Sequence, residues 1–160
     1  MNKYIVFRTD RIGDFLLSAI LIKCIKSNDP NSHITVIASE KNYQYIKTFS
    51  IVDETFLLKS NIIDKIKLIF KLRNSLYKAI ILHDGKKRSS LISFFLKKKL
   101  ILFSLNPLNI SHIDQIKNFI NELDFKFYKN NLNIFEGKVT NFYNFKKKYI
   151  VFHFDEKWIH

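Results

Sequence analysis

Apolar residues recur along the chain in two rhythms. Short runs that are almost wholly apolar read as strands: Lys3 to Phe7, His33 to Ala38, Glu54 to Leu58, Ala79 to Leu82, Leu100 to Phe103 and Tyr149 to Phe154. Between them the apolar residues repeat every three or four positions, the period of a helix. Helices are predicted over Asp14 to Lys26, Asn42 to Phe49, Asn61 to Ser75, Ser89 to Leu96 and Ser111 to Leu123. In the first helix Leu17, Ile20, Leu21, Cys24 and Ile25 share one face. In the third, Ile62, Ile66, Ile69 and Phe70, with Leu76 beyond its end, are expected to point inward. Ser111 is the expected cap of the last helix, with Asp114 in its first turn. Asn28-Asp29-Pro30-Asn31 is a turn, and Lys97-Lys98-Lys99 reads as a charged turn after a helix end. Strands alternating with helices imply parallel βαβ units and an α/β, doubly wound parallel sheet with the first strand central.

The first turn is the most chemically crowded. Arg8-Thr9-Asp10-Arg11-Ile12-Gly13-Asp14 joins the first strand to the first helix. Ligands of open α/β sheets bind at the carboxyl ends of the strands, beside such turns. Asp14 either carries chemistry there or caps the helix, since aspartate is among the best N-caps. Gly13 lets the backbone turn tightly and approach a ligand. Arg8 and Arg11 either orient an anion or pair with Asp10 and Asp14. Backbone N–H groups from Thr9 to Asp14, with the helix N-terminus, suit a phosphate. The turn lacks the Gly-Lys-Ser/Thr element of a P-loop and the Gly-x-Gly-x-x-Gly pattern of a dinucleotide site, so no nicotinamide cofactor is implied.

Composition narrows the partners. The 160 residues suffice for one domain with a real core. Lys and Arg number 27 against 14 Asp and Glu, a net charge of +13. Between Lys65 and Lys99 eleven basic residues face only Asp84. Such a field attracts nucleic acid, anionic lipid or phosphorylated substrates, unless the lysines are simply solvated surface. Helix-turn-helix, RNP and zinc patterns are missing, so no nucleic acid partner is expected. Phe94-Phe95-Leu96-Lys97-Lys98-Lys99 is either a peripheral contact with an anionic membrane or a core helix end. The apolar run from Leu91 to Leu105 is cut by those lysines, so it does not read as a spanning helix. Cys24 is the single cysteine, more a core residue than a nucleophile, and a reducing, cytoplasmic compartment fits. The five histidines show no metal-ligand spacing, and adjacent His83 and Asp84 do not make a dyad.

Four segments in chain order carry a family look. Ile5 to Asp14 resembles the opening of glycosyltransferase family 9, the heptosyltransferases of lipopolysaccharide assembly. Asp29-Pro30-Asn31-Ser32-His33-Ile34-Thr35-Val36 resembles the family's second strand and the turn before it. Val52-Asp53-Glu54 resembles the start of the third strand, and Tyr77 to Ser89 the fourth strand with its Gly-x-x-basic-Ser turn. Ile20 stands where the family usually has proline, Leu82 where it has an acid, and Asp84 where glutamine is common.

The resemblance implies a Rossmann-like domain, the N-terminal half of a GT-B glycosyltransferase. It implies an acceptor-side domain over residues 1–129, a linker over 130–148, and the first strand of a truncated donor-binding domain over 149–160. The implied reaction moves a sugar from a nucleotide-diphosphate donor, ADP-heptose by the family pattern, to a lipopolysaccharide-core acceptor at the inner membrane face. Asp14 is then the catalytic base of an inverting transfer, and Thr9, Arg11, Gly13 and Arg88 bind substrate, Arg88 meeting an acidic acceptor sugar. No metal and no cofactor besides the donor substrate is implied, and the chain alone is expected not to transfer sugar. A basic loop of solvated Lys86 and Lys87 is the plainer reading of that turn. The reading from another class is a non-catalytic α/β binding module, or remnant, for an anionic ligand.

Overall fold

The computed structural model describes residues 1–104 and 110–134. The expected strand Tyr149 to Phe154, and the expected linker beyond Ile134, lie outside the described residues. Strands β1 (Lys3–Arg8), β2 (His33–Ala38), β3 (Glu54–Leu57), β4 (Leu76–Leu82) and β5 (Lys97–Phe103) form one sheet in the order β3-β2-β1-β4-β5. Every neighbouring pair is parallel. The helices between them are α1 (Ile12–Asn28), α2 (Tyr43–Ile46), α3 (Ile62–Leu72), α4 (Lys87–Phe94) and α5 (His112–Glu122). The architecture is the expected doubly wound, Rossmann-like sheet. The chain runs from β1 outward to β3, returns, and continues from β4 to β5. The direction reverses between β1 and β4, so the topological switch point lies beside the first strand.

The strand pleat sends alternate residues to opposite faces. Tyr4 and Val6 of β1 join Ile34, Val36 and Ile81 in a core beneath α1 and α5. Ile5 and Phe7 join Ile37, Ile80 and Leu82 in a second core beneath α3 and α4. Helix α1 is buried on more than the expected single face: Phe15, Ala19, Leu21, Ile22, Cys24 and Ile25 are all fully enclosed. The cause is a second cover, since Ile116, Phe119 and Ile120 of α5 pack in the same core. Burial pushes the Cys24 thiol pKa up, as suits a core residue. The Asn28 side chain accepts from the Lys126 N–H at 2.9 Å and donates to the Lys126 carbonyl at 2.8 Å, fixing the segment after α5 to the end of α1. Ile134 also packs on this core. Ser111 caps α5, its hydroxyl accepting from the Asp114 N–H at 3.1 Å.

Asp53 has a structural task. Its carboxylate accepts from the Ile34 N–H at 2.6 Å and from Lys26 Nζ at 2.7 Å. Burial works to raise its pKa, but these two donors hold the carboxyl below its ordinary range.

Two expectations need correction. Helix α3 buries Leu68 and Leu72, whereas Ile62, Ile66 and Phe70, and Leu76 at the start of β4, are exposed. The helix carries two apolar stripes, and periodicity does not say which meets the sheet. Lys97-Lys98-Lys99 opens β5 instead of forming a turn. β5 is an edge strand, where lysine is tolerated and discourages further strand pairing.

Candidate functional site

The turns leaving β1, β2 and β4, with the chain leaving β3, surround a cleft of about 440 Å³ at the carboxyl edge of the sheet. Its walls include Thr9, Arg11, Asp14 and Arg88, so four of the five expected site residues meet in one place. The cleft straddles the switch point, where the divergence of successive crossovers opens a crevice.

The β1–α1 turn is pinned from inside. Arg8 is 5% exposed. Its Nε donates to the Asp14 carbonyl at 2.8 Å, and its Nη1 donates to the His83 carbonyl at 2.6 Å and lies 3.4 Å from Asp10. Burial lowers its pKa, opposed by the charges of Asp10, Asp14 and Asp84, and a guanidinium keeps its proton regardless. The Arg8 carbonyl accepts from Asn42 Nδ2 at 2.9 Å, and Asn42 Oδ1 accepts from the Ser39 N–H at 2.9 Å. Of the two readings of Arg8, the inward ion pair is therefore correct.

Arg11 differs. It is the N-cap residue of α1, it is exposed, and its guanidinium forms no ion pair among the described residues. Asp14 is the third residue of α1, not its cap. It reaches back, Oδ2 accepting from the Arg11 N–H at 3.1 Å, the reciprocal half of a capping box. Half-buried Asp14 thus holds the helix start and lines the cleft together. Its carboxylate fills the helix end, so a phosphate placed there would meet a negative charge. Gly13 is exposed and does not line the cleft. Its φ is not in the left-handed region, and a Cβ would meet nothing within 4 Å. The turn does not need glycine there, contrary to expectation.

The β4–α4 turn does need one: Gly85 has φ +58°. Asp84, beside it, is the organising residue of this side. Its carboxylate accepts from Thr9 Oγ1 at 2.6 Å, from Ser89 Oγ at 2.7 Å and from the Lys86 N–H at 3.2 Å. The Thr9 hydroxyl, donating to Asp84, accepts from Arg88 Nη2 at 2.9 Å. Arg88 is thereby aimed at the cleft while its residue stays exposed. Lys86 is not a solvated loop lysine. Its Nζ pairs with Asp10 and donates to the Thr9 carbonyl at 3.0 Å. With Asp10 and Lys86 paired, the remaining charges lining the cleft are Arg11, Lys41 and Arg88 against Asp14 and Glu40. The arrangement can hold an anionic ligand and offer it one carboxylate.

Sequence reasoning missed Asp84, Lys86 and Asn42 as parts of this site. The available signal was the Asp-Gly pair ending a strand, where an aspartate accepts from a backbone N–H two residues on. His83 lies under the site but does not reach it. Its Nδ1 is 2.8 Å from Ser18 Oγ, and its Nε2 has no partner among the described residues. Burial, with Arg8 and His112 nearby, pushes its pKa down to about 3, so the ring is neutral. Among the described residues no group of three or more His, Cys, Asp or Glu could hold a metal ion.

The heptosyltransferase WaaC of E. coli, solved with ADP, superposes with a TM-score of 0.65 at 11% identity over 79% of this chain and 49% of that one. The chain shares its fold. A glycosyl transferase family 9 protein of Veillonella parvula gives 0.65 at 14% identity, covering 78% of this chain and 42% of that one. The same E. coli enzyme with ADP-2-deoxy-2-fluoro heptose gives 0.61 at 12% identity over 79% and 50%. The chain thus spans about half the length of these structures and has the Rossmann-like α/β architecture of one part of a GT-B glycosyltransferase. No protein-family model and no curated protein sequence matches it.

Proposed function

We propose that the chain is the acceptor-side domain of a family 9 glycosyltransferase, residues 1–129, with the linker and the start of a donor-binding domain beyond it. The observation that carries the reading is the convergence of Asp14, Arg11 and Arg88 on one cleft at the switch point of a fold shared with heptosyltransferases. The donor is a nucleotide-diphosphate sugar, ADP-heptose by analogy with the ligands of the E. coli enzyme. The acceptor is an acidic sugar of a lipopolysaccharide core.

The chemistry follows from the side chains. An acceptor hydroxyl attacks the anomeric carbon from the face opposite the leaving group. The new C–O bond forms as the bond to the diphosphate breaks, and the nucleoside diphosphate leaves with the electron pair. Asp14 accepts the hydroxyl proton, which requires hydrogen-bond reach to that oxygen. One carboxylate suffices because the diphosphate needs no protonation to depart. Arg88 and Arg11 orient the acceptor carboxylate, and a guanidinium suits it because it donates two parallel hydrogen bonds. Thr9 positions Arg88.

Calorimetry with a deacylated lipopolysaccharide-core oligosaccharide tests the binding half. In the chain joined to a donor-binding domain, Arg88→Ala should weaken acceptor binding by about tenfold or more, the worth of a charge-assisted pair, and leave ADP affinity unchanged. Equal loss of both would assign Arg88 to phosphate or to folding. Binding without transfer, even when a donor-binding domain is joined on, would favour the non-catalytic module.

A further inference from the structure

Helices α3 and α4 cover one face of the sheet, and their outer surface is apolar where water would be expected. Leu91 is 64% exposed, Phe94 77% and Phe95 56%. Leu91 and Phe94, with Phe103 of β5, wall an open groove of about 580 Å³ edged by Lys87 and Lys98. Past Phe95 the surface runs on to Arg73 and Lys97. Arg73 in turn lies 4.1 Å over the ring of Phe70, another exposed aromatic. Contiguous apolar surface of this kind marks an interaction site.

Charge decides what covers it. Among the described residues none of Arg73, Lys87, Lys97 and Lys98 forms an ion pair; Lys98 donates only to the Ser93 and Leu96 carbonyls. The sole acid between Lys65 and Lys99, Asp84, is committed to Thr9 and Ser89. A second copy of the chain would set these cations against themselves, and Lys97 to Lys99 oppose pairing along the β5 edge. An anionic bilayer meets both demands, because apolar side chains enter below the headgroups while lysines stay at the phosphates.

We propose that α4 and the start of β5 form a docking surface for an anionic lipid bilayer, with Leu91, Phe94 and Phe95 inserted and Lys87, Lys97 and Lys98 at the headgroups. Lys87 edges the groove, and the next residue, Arg88, lines the cleft. A hollow of about 220 Å³ containing Lys86, Lys87 and Phe103 lies between the two. Docking would therefore bring the cleft to the membrane surface, where a lipid-anchored acceptor resides. This last consequence rests on the proposed function; the docking does not. Among the described residues no helix is long and apolar enough to cross a membrane.

Vesicle sedimentation with the full chain tests it, using phosphatidylcholine with and without phosphatidylglycerol. The chain should pellet with the anionic vesicles only, less so as salt rises. Leu91→Ser with Phe94→Ser, both exposed positions, should keep the circular dichroism spectrum and weaken binding by about tenfold or more. Phe94→Trp, with the single native tryptophan removed by Trp158→Phe, should shift its emission to the blue on anionic vesicles. Arg11→Ala should leave vesicle binding unchanged while lowering acceptor binding, which separates this claim from the proposed function. No binding to anionic vesicles, an unshifted Phe94→Trp spectrum, or wild-type binding by the double serine variant would overturn it. So would a wild-type dimer that the serine variant converts to monomer with vesicle binding intact.

Discussion

The β1–α1 and β4–α4 turns occupy equivalent places on either side of the switch point, yet they are built differently. The first turns without a left-handed residue, because Arg8 and Asn42 pin it through backbone carbonyls. The second turns on Gly85 and is tied by Asp84. In each, one charged residue faces inward and is used up by hydrogen bonds, leaving another to face the cleft: Arg8 is buried while Arg11 is open, and Asp84 is committed while Arg88 is aimed outward. A charge in a βα turn is therefore not by itself a sign of ligand binding. What separates the two kinds is how many neighbouring residues use up the group: among the described residues Arg8 reaches Asp14, His83 and Asp10, and Asp84 holds Thr9, Ser89 and Lys86, whereas Arg88 meets Thr9 alone.

Arg8 against Arg11 breaks this comparison most strongly. Arg8→Ala removes a buried cation and leaves the Asp14 and His83 carbonyls without their donor, while Asp10 keeps Lys86, so stability should fall by about 3 kcal/mol or more. Arg11→Ala should stay within about 0.5 kcal/mol, as surface changes do. Urea unfolding of both variants measures the contrast, and similar losses would erase it.

The next effect is pH-dependent and lies beneath the second turn. His83 is neutral when folded, with its pKa pushed down to about 3, whereas in the unfolded chain it titrates near 6.5. As pH falls below 6.5 the unfolded state gains a proton that the folded state refuses. Stability should then drop by up to about 1.4 kcal/mol per pH unit from this group. Unfolding at pH 7 and pH 5 should show that loss in the wild type and a flatter profile in His83→Gln. An unchanged slope would mean the ring is protonated or open to water.

The glycines give the smallest effects, of opposite sign. Gly85→Ala puts a side chain at φ +58° and should cost about 1 kcal/mol. Gly13→Ala, in a helical turn with open space at its Cβ, should stabilise by about 0.5 kcal/mol. Thermal unfolding distinguishes them, and a loss at both positions would mean the first turn also depends on glycine.

These contrasts mark what the sequence could disclose. The sheet was legible because strand runs and helical periods alternate cleanly, and β2 falls where its run of apolar residues does. Asp14 was legible because it sits where a turn becomes a helix. Its dual part was not, since the one-residue choice between cap and third helical position depends on where α1 begins. Arg8 and Arg11 look alike in sequence, and only the closing of β4 against β1 brings the His83 carbonyl to one of them. Asp84 organises Thr9 across 75 positions, a separation no local pattern encodes. On α3, Ile69 packs on the core as expected, but Ile62, Ile66 and Phe70 repeat at the same helical spacing as Leu68 and Leu72, and the period alone does not tell the exposed stripe from the buried one.

On the proposed function, the cleft beside β1 receives a sugar acceptor whose hydroxyl proton passes to Asp14. The most direct measurement is sugar transfer from ADP-heptose to a lipopolysaccharide-core acceptor by the chain joined to a donor-binding domain, with and without Asp14→Asn. Asparagine keeps the size and can still accept from the Arg11 N–H, so folding and acceptor binding should persist. Loss of the base should lower kcat by about a hundredfold or more. Full transfer by the Asp14→Asn enzyme would contradict the account.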